Sequence, residues 1–256
     1  QAAATPNAVF SGTEIAATLK DGVLDVSRFK GSFYGGTIDL AGTIDGSQPS
    51  LSFDLKGEAN GLKVGDMLRS SSGSNEVGSV VRITVDGSVT AKELALRGAG
   101  TTIAEIRASM AGRARVSGHI QARADKFLQT LGSAATGAVG SVLDATVGNI
   151  MSLFGDKGGA GNVPNAISLV LNRFVNHDNA LSGDIEIAGG VLTDKNLVLQ
   201  GDRATGRIVT RTNLVNATTS TTVTFVLAEE PSTPYLIVTA SGPLASPSIQ
   251  ATRGHR

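Results

Sequence analysis

The chain has no cysteine and no tryptophan in its 256 residues. Without thiols there can be no disulfide scaffold, no thiolate metal site and no cysteine nucleophile. That composition is compatible with the periplasm. Aromatic residues are only 4% of the chain, so any core or pocket has to be built from Val, Ile, Leu, Ala and a few Phe. Neither sign of charge predominates, with 22 basic and 22 acidic residues. Nothing in that balance steers toward nucleic acid, which favours a strongly basic chain. No run of roughly 18 apolar residues suggests a membrane-spanning helix. The opening QAAATPNAV reads as a domain boundary or a trimmed end. Any targeting or anchoring segment of a parent protein is expected outside this chain.

What the chain does have is glycine, 32 residues of it, together with 41% hydrophobic and only 17% charged residues. That profile suits many short strands with frequent turns. The clearest stretch is residues 181–201, LSGDIEIAGGVLTDKNLVLQG. Two alternating runs flank Gly189-Gly190, and a period of two puts apolar and polar side chains on opposite faces of a strand. Ile185, Ile187, Leu197 and Leu199 are predicted to share one face. Asp184, Glu186, Asn196 and Gln200 are predicted on the other. Gly-Gly supplies the positive φ of a tight hairpin turn.

Residues 9–57 read the same way, with turns at Asp21-Gly22, Tyr34-Gly35-Gly36 and Asp45-Gly46. Leu24 and Val26 share a face, Ile38, Leu40 and Ile44 share one, and so do Leu51, Phe53 and Leu55. Residues 61–68 are predicted as a short helical turn and 70–74 as a polar loop. Strand signal resumes at 80–85, is expected to turn at Asp86-Gly87, and continues through 89–96. The period then changes. Thr101 or Thr102 is predicted to cap a short helix reaching Met110, and a strand follows over 114–120. Residues 122–153 form a candidate helix weakened by Gly132, Gly137, Gly140 and Gly148, each costing roughly 1 kcal/mol against Ala. Asp125, Lys126 and Asp144 argue against a bilayer span, so a covering role over sheet or groove mouth is expected. Residues 156–162 are a glycine-rich linker, and Pro164 opens another helix carrying Ile167, Val170, Leu171 and Phe174. Strands return from 181 to the end, where the prolines of SGPLASPSIQ are expected to stop pairing. The reading is therefore a mainly β fold, a curled antiparallel sheet with helices in the middle third. Its parts are a β-rich half (1–121), a helical glycine-rich segment (122–180) and a C-terminal sheet segment (181–256), as separate units or as one continuous domain.

Catalytic and metal motifs are not evident. His119, His177 and His255 are far apart, whereas zinc needs three or four clustered ligands; the His177-Asp178 pair reads better as a polar loop. No G-x-S-x-G elbow or phosphate-binding loop is present. Gly98-Ala99-Gly100 lacks the third glycine of a dinucleotide fingerprint, whose place Ile103 takes. Asp39, Asp54 and Glu186 alternate with apolar residues, as on a solvated strand face. No enzyme and no cofactor are expected. What remains is the apolar face. Alternation places Leu51, Phe53, Leu55, Ile83, Val85, Leu197, Leu199, Val223, Phe225 and Leu227 on one continuous surface. It is either an ordinary core or an aliphatic groove for acyl chains.

The chain resembles the C-terminal region of the AsmA family of Gram-negative envelope proteins. Asp21-Gly22-Val23-Leu24 followed by Tyr34-Gly35-Gly36-Thr37 resembles a strand pair of that family, and residues 62–68 its short helix. Asp86-Gly87-Ser88-Val89, Gly98-Ala99-Gly100-Thr101 and residues 106–112 resemble its next segment. Gly190-Val191-Leu192-Thr193 and Ser241-Gly242-Pro243-Leu244-Ala245-Ser246-Pro247 resemble its final strands. Residues 122–153 have no counterpart in the pattern. The resemblance implies an elongated β-trough similar to bridge-like lipid-transfer proteins, with the ten residues above lining a lipid groove. It further implies phospholipid as the partner, a periplasmic location, a parent anchored in the inner membrane, and a role in lipid movement or outer-membrane homeostasis. The alternative is a non-catalytic structural or assembly module with a filled core.

Overall fold

The computed structural model describes residues 10–72, 76–77, 83–124, 163–244 and 247–254. Within them the chain is one antiparallel sheet that curls into an open trough without closing. The strands are β1 (Ser11–Lys20), β2 (Val23–Phe33), β3 (Gly36–Asp45), β4 (Leu51–Lys63), β5 (Glu76–Val77), β6 (Ile83–Gly100), β7 (Ala111–Ala124), β8 (Asp178–Ala188), β9 (Val191–Gln200), β10 (Ala204–Asn213), β11 (Thr218–Leu227), β12 (Glu230–Pro243) and β13 (Ser248–Arg253). Their order in space is their order in sequence, with only the two-residue β5 standing aside, paired to β6. Twelve strands ~4.8 Å apart make a sheet roughly 53 Å across. The meander follows from local turn chemistry. Asp21-Gly22, Tyr34-Gly35 and Gly189-Gly190 all have positive φ at both positions. That is the two-residue turn whose twist matches the flanking strands.

The register assigns the faces, because residues opposite one another in a ladder share a side of the sheet. One row runs Leu24–Ile44–Phe53–Gly98. The next runs Val26–Gly42–Leu55–Leu96–Gly112–Ile187–Leu192. Further along the strands lies Leu62–Val89–Gly118–Leu181–Leu199–Gly206–Phe225–Leu236. This inner face is apolar. The opposite face carries Asp39, Glu58, Lys56, Arg113 and Arg115, among others. Its ion pairs, such as Arg115 to Glu93 at 2.8 Å and to Asp184 at 3.6 Å, are exposed and each is worth about 0–1 kcal/mol. Glycines on the inner face leave room for the curl. Those at 98 and 206 lie directly beneath the rings of Phe53 and Phe225.

Three helices are described: α1 (Val64–Ser72), α2 (Ile103–Ser109) and α3 (Val163–Phe174). The helix predicted over 61–68 is α1, whose first three predicted residues instead finish β4 and which runs on through the first residues of the expected polar loop. The capped helix is α2, with Thr102 as N-cap. The helix opened by Pro164 is α3. Of the candidate helix at 122–153, residues 122–124 finish β7 and the rest lie outside the described residues.

Two local expectations fail. Asp86-Gly87 does not turn: β6 passes straight through, with Asp86 opposite Gln121 and Gly87 opposite Ile120. The glycine is needed for another reason, since a Cβ there would overlap the backbone oxygen of His119. The terminal prolines end β12, but the chain then pairs once more as β13. The β-rich halves are one sheet, joined directly by the β7–β8 ladder.

Candidate functional site

The ten residues predicted on one surface do fall in step, except that Ile83 is placed by register alone, opposite Ala124. Leu51, Phe53 and Leu55 follow one another along β4, opposite Gly100, Gly98 and Leu96. Val85 lies opposite Ala122. Leu197 and Leu199 share rows with Ile208 and Gly206. Val223, Phe225 and Leu227 share rows with Ile208, Gly206 and Ala204. The surroundings of these residues differ. Over β9–β13 the inner face is covered by α3. Ala166, Ile167, Val170 and Phe174 form a buried cluster there with Ala204, Leu236 and Ala251, and Leu199, Phe225 and Leu227 pack against it. The Phe174 and Phe225 rings meet edge to face at 5.3 Å between centroids, an arrangement that adds about 0.5–1.5 kcal/mol to burial. At this end the surface is ordinary core.

Over β2–β8 the cover is partial: Val26, Ala59, Ala114 and Leu181 are buried, and α2 lies against Gly98 and Gly100 through Glu105 and Ile106. Phe53, Leu55, Val85, Val89, Val116 and Ile185 are half-buried. Leu51 is 40% exposed. Ile38, Leu40, Ile44, Val116 and Ile187 belong to this surface as well. Their alternation was visible in the sequence, but the predicted set did not include them. The two groups of predicted residues, on β4 and β6 and on β9 and β11, therefore lie on one face but not in one pocket, with β7 and β8 between them.

A bulge explains both a success and an omission in β9. The register shifts between Ser182↔Val198 and Asp184↔Lys195, and Asn196 sits at φ 70. The extra residue keeps Ile185, Ile187, Leu197 and Leu199 on the same side, as predicted. It also turns Asp194 to the inner face, where its carboxylate accepts from the Thr210 N–H. Nearby Thr210 and Thr221 hydroxyls are 2.6 Å apart, and Thr212 and Thr219 hydroxyls 3.0 Å apart. The inner face thus becomes polar toward the β10–β11 hairpin. A cavity of about 430 Å³ crosses β4, β6, β7 and β8. Its lining mixes Leu96 and Ile187 with Lys56, Arg97, Arg113 and Glu186, and this charge distinguishes it from the apolar face.

The histidines do not converge. His119 Nδ1 is 3.3 Å from an Asp178 carboxylate oxygen, both exposed; His177 is exposed in the turn before β8, and His255 lies outside the described residues. No group of three or more His, Asp or Glu able to hold a metal occurs among the described residues. Among the described residues, two carboxylates titrate below their ordinary range. The Ser47 hydroxyl and N–H hold Asp45 down in a hairpin turn. The Thr101 hydroxyl and N–H, at 2.6 and 2.7 Å, hold Glu105 down at the start of α2. Because the folded carboxyl titrates lower than the unfolded one, its contribution is present above the ordinary glutamate range. It is lost as pH falls through the depressed value. The Thr101 amide resonance is therefore expected to move on acidification with a midpoint below that of a free glutamate. In Glu105→Gln that titration should vanish.

Comparison of the chain with protein-family models, curated proteins and solved structures gives no match.

Proposed function

We propose that this trough is a lipid-binding module of the cell envelope, taking phospholipid acyl chains on its inner face. It contributes to lipid movement between inner and outer membrane or to outer-membrane homeostasis. The observation that carries the reading is the apolar face across β2–β8, where Phe53, Leu55, Val85, Val89, Val116 and Ile185 stay only half-buried, set against a charged outer face. Large exposed apolar surfaces on a soluble domain mark interaction sites. This one is lined by aliphatic residues, which suit hydrocarbon. Each methylene removed from water contributes about 0.8 kcal/mol. A one-sided groove that shields half of ten methylenes would then gain roughly 4 kcal/mol. The resemblance of the glycine-turn segments to the AsmA family supports the same role. It also supports a periplasmic location and a parent anchored in the inner membrane. The role is non-catalytic: binding and guidance need no reacting group.

A second reading, a structural module with a filled core, is favoured by α3 lying over β9–β13. Solvent extraction of the purified protein followed by mass spectrometry separates the two. The lipid reading expects stoichiometric phospholipid in the extract. A folded protein that yields none is the filled module.

A further inference from the structure

We propose that the outer face of the sheet carries an anion site over β4, β6 and β7, built for the phosphate group of a phosphate ester. The site is the cavity of about 430 Å³, a size within the range of small-ligand sites. It lies on the face opposite the apolar one, so its case is independent of the lipid reading. Register sets its geometry. Ala95 stands between Lys56 of β4 and Arg113 of β7, with each neighbour ~5 Å away. Arg97 is two residues further along β6, ~7 Å from Ala95, and opposite Ala111. Three cationic side chains thus surround a floor of Ala95 and Ala111, whose methyl groups leave the depression open. The strand also bends there. Between Ala91 and Ala95, β6 carries one residue more than either neighbour, and Glu93 sits at φ 53. A bulge of this kind kinks its strand and recurs beside active sites.

The arginines of this cavity are not neutralised by their neighbours. Elsewhere on the outer face Arg115 meets Glu93 at 2.8 Å and Asp184 at 3.6 Å. Arg97 lies opposite Asp54 and Arg113 opposite Glu186, but Asp54 turns to Lys56 at 3.9 Å and Glu186 to Lys195. Neither Arg97 nor Arg113 has an ion pair or a side-chain hydrogen bond among the described residues. They are diagonal neighbours across the β6–β7 ladder, within reach of one ligand. A guanidinium donates through a planar fork that matches phosphate, and lysine adds a point charge. A phosphate monoester offers three terminal oxygens and about −1.5 to −2 charges near neutral pH, which suits two forks and an ammonium. A carboxylate offers two oxygens and one charge. The cavity is larger than a phosphate ion, so the group is carried on a larger molecule. That molecule is a soluble ester or a headgroup at a bilayer surface.

Glycerol 3-phosphate serves as the soluble probe, and phosphatidylcholine vesicles with or without phosphatidic acid as the bilayer probe. In the full chain, glycerol 3-phosphate should shift the amide resonances of residues 95, 97, 111 and 113 along one saturating curve, or phosphatidic acid should raise vesicle binding above the neutral baseline. The first result assigns a soluble ester and the second a headgroup; either supports the site. Arg97 and Arg113 are exposed. Arg97→Gln and Arg113→Gln should each weaken the probe that binds by about tenfold, as expected for losing one charged hydrogen-bonding group. Ala95→Leu keeps every charge but fills the floor, and should weaken it as much. Arg207→Gln removes a charge from the same face on β10 and should change nothing. Neutral vesicles report on the inner face alone and should treat all four variants like the parent. Binding of neither probe overturns the proposal. So does an equal loss in Arg207→Gln, which means diffuse charge, or full binding by Ala95→Leu, which means that the anion sits elsewhere.

Discussion

Phe225→Asp is expected to unfold the C-terminal part of the trough, while Phe53→Asp leaves the fold standing and strips it of lipid. Both phenylalanines lie on the inner face above a glycine of the neighbouring strand, and the sequence pattern does not separate them. Packing does. Phe225 abuts Phe174 and the buried cluster beneath α3. A carboxylate there loses the ring, about 3–5 kcal/mol for a large-to-small change, and leaves a charge without a partner, several kcal/mol more. The sum rivals the ~5–15 kcal/mol that holds an ordinary domain together. Phe53 is half-buried, so a carboxylate in its place reaches water and the cost stays near that of lost surface. Thermal melting and lipid content of both purified variants decide the matter. Unfolding in both would make the whole face core. Two intact folds with unchanged lipid would move the binding surface elsewhere.

The second large effect is expected at Asn179, which is 1% exposed at the start of β8. Its side-chain amide donates to the carbonyls of Ile120, Phe174 and His177 at 3.0, 2.8 and 3.1 Å. It thereby ties the end of α3 to β7, beside the Asn176 N–H bond to Ala122 O. Asn179→Ala strands the buried Phe174 carbonyl and leaves the part-buried Ile120 and His177 carbonyls without this donor, at about 1–3 kcal/mol for the buried group. A fall in melting temperature of roughly 2–12 °C follows at about 2–4 °C per kcal/mol. Asn179→Asp should be worse at neutral pH, because it faces carbonyl oxygens with a charge. It should recover partly on acidification, when a protonated carboxyl can donate. An Asp variant as stable as the parent at pH 7 would mean that the amide does not clamp α3.

The fold was legible because it is local. Each strand pairs with its sequence neighbour, so alternation and two-residue turns nearly specify it. Gly189-Gly190 and Asp21-Gly22 turn where the pattern says they should. Asp86-Gly87 carries the same signal and does not turn, because its flanking residues find partners on β7 and ladder pairing overrides local propensity. The bulge that brings Asp194 inward was illegible for a related reason. One extra residue reverses the parity of everything beyond it, and only the pairing reveals where it falls. The apolar face could be read from periodicity, but its division into a covered part and an open part could not. That division depends on where α3 lies, a long-range fact absent from the strand pattern.

The inner face can be tested against the outer one residue at a time. A photoreactive benzoylphenylalanine placed at Leu55 or Val116 points into the trough. At Lys56 or Ser117, one residue further on, it points away from it. Irradiated with phospholipid vesicles and analysed by mass spectrometry, the protein should carry lipid adducts at positions 55 and 116 and none at 56 and 117. Adducts on both faces alike, or on neither, would contradict a trough that holds lipid on its inner surface.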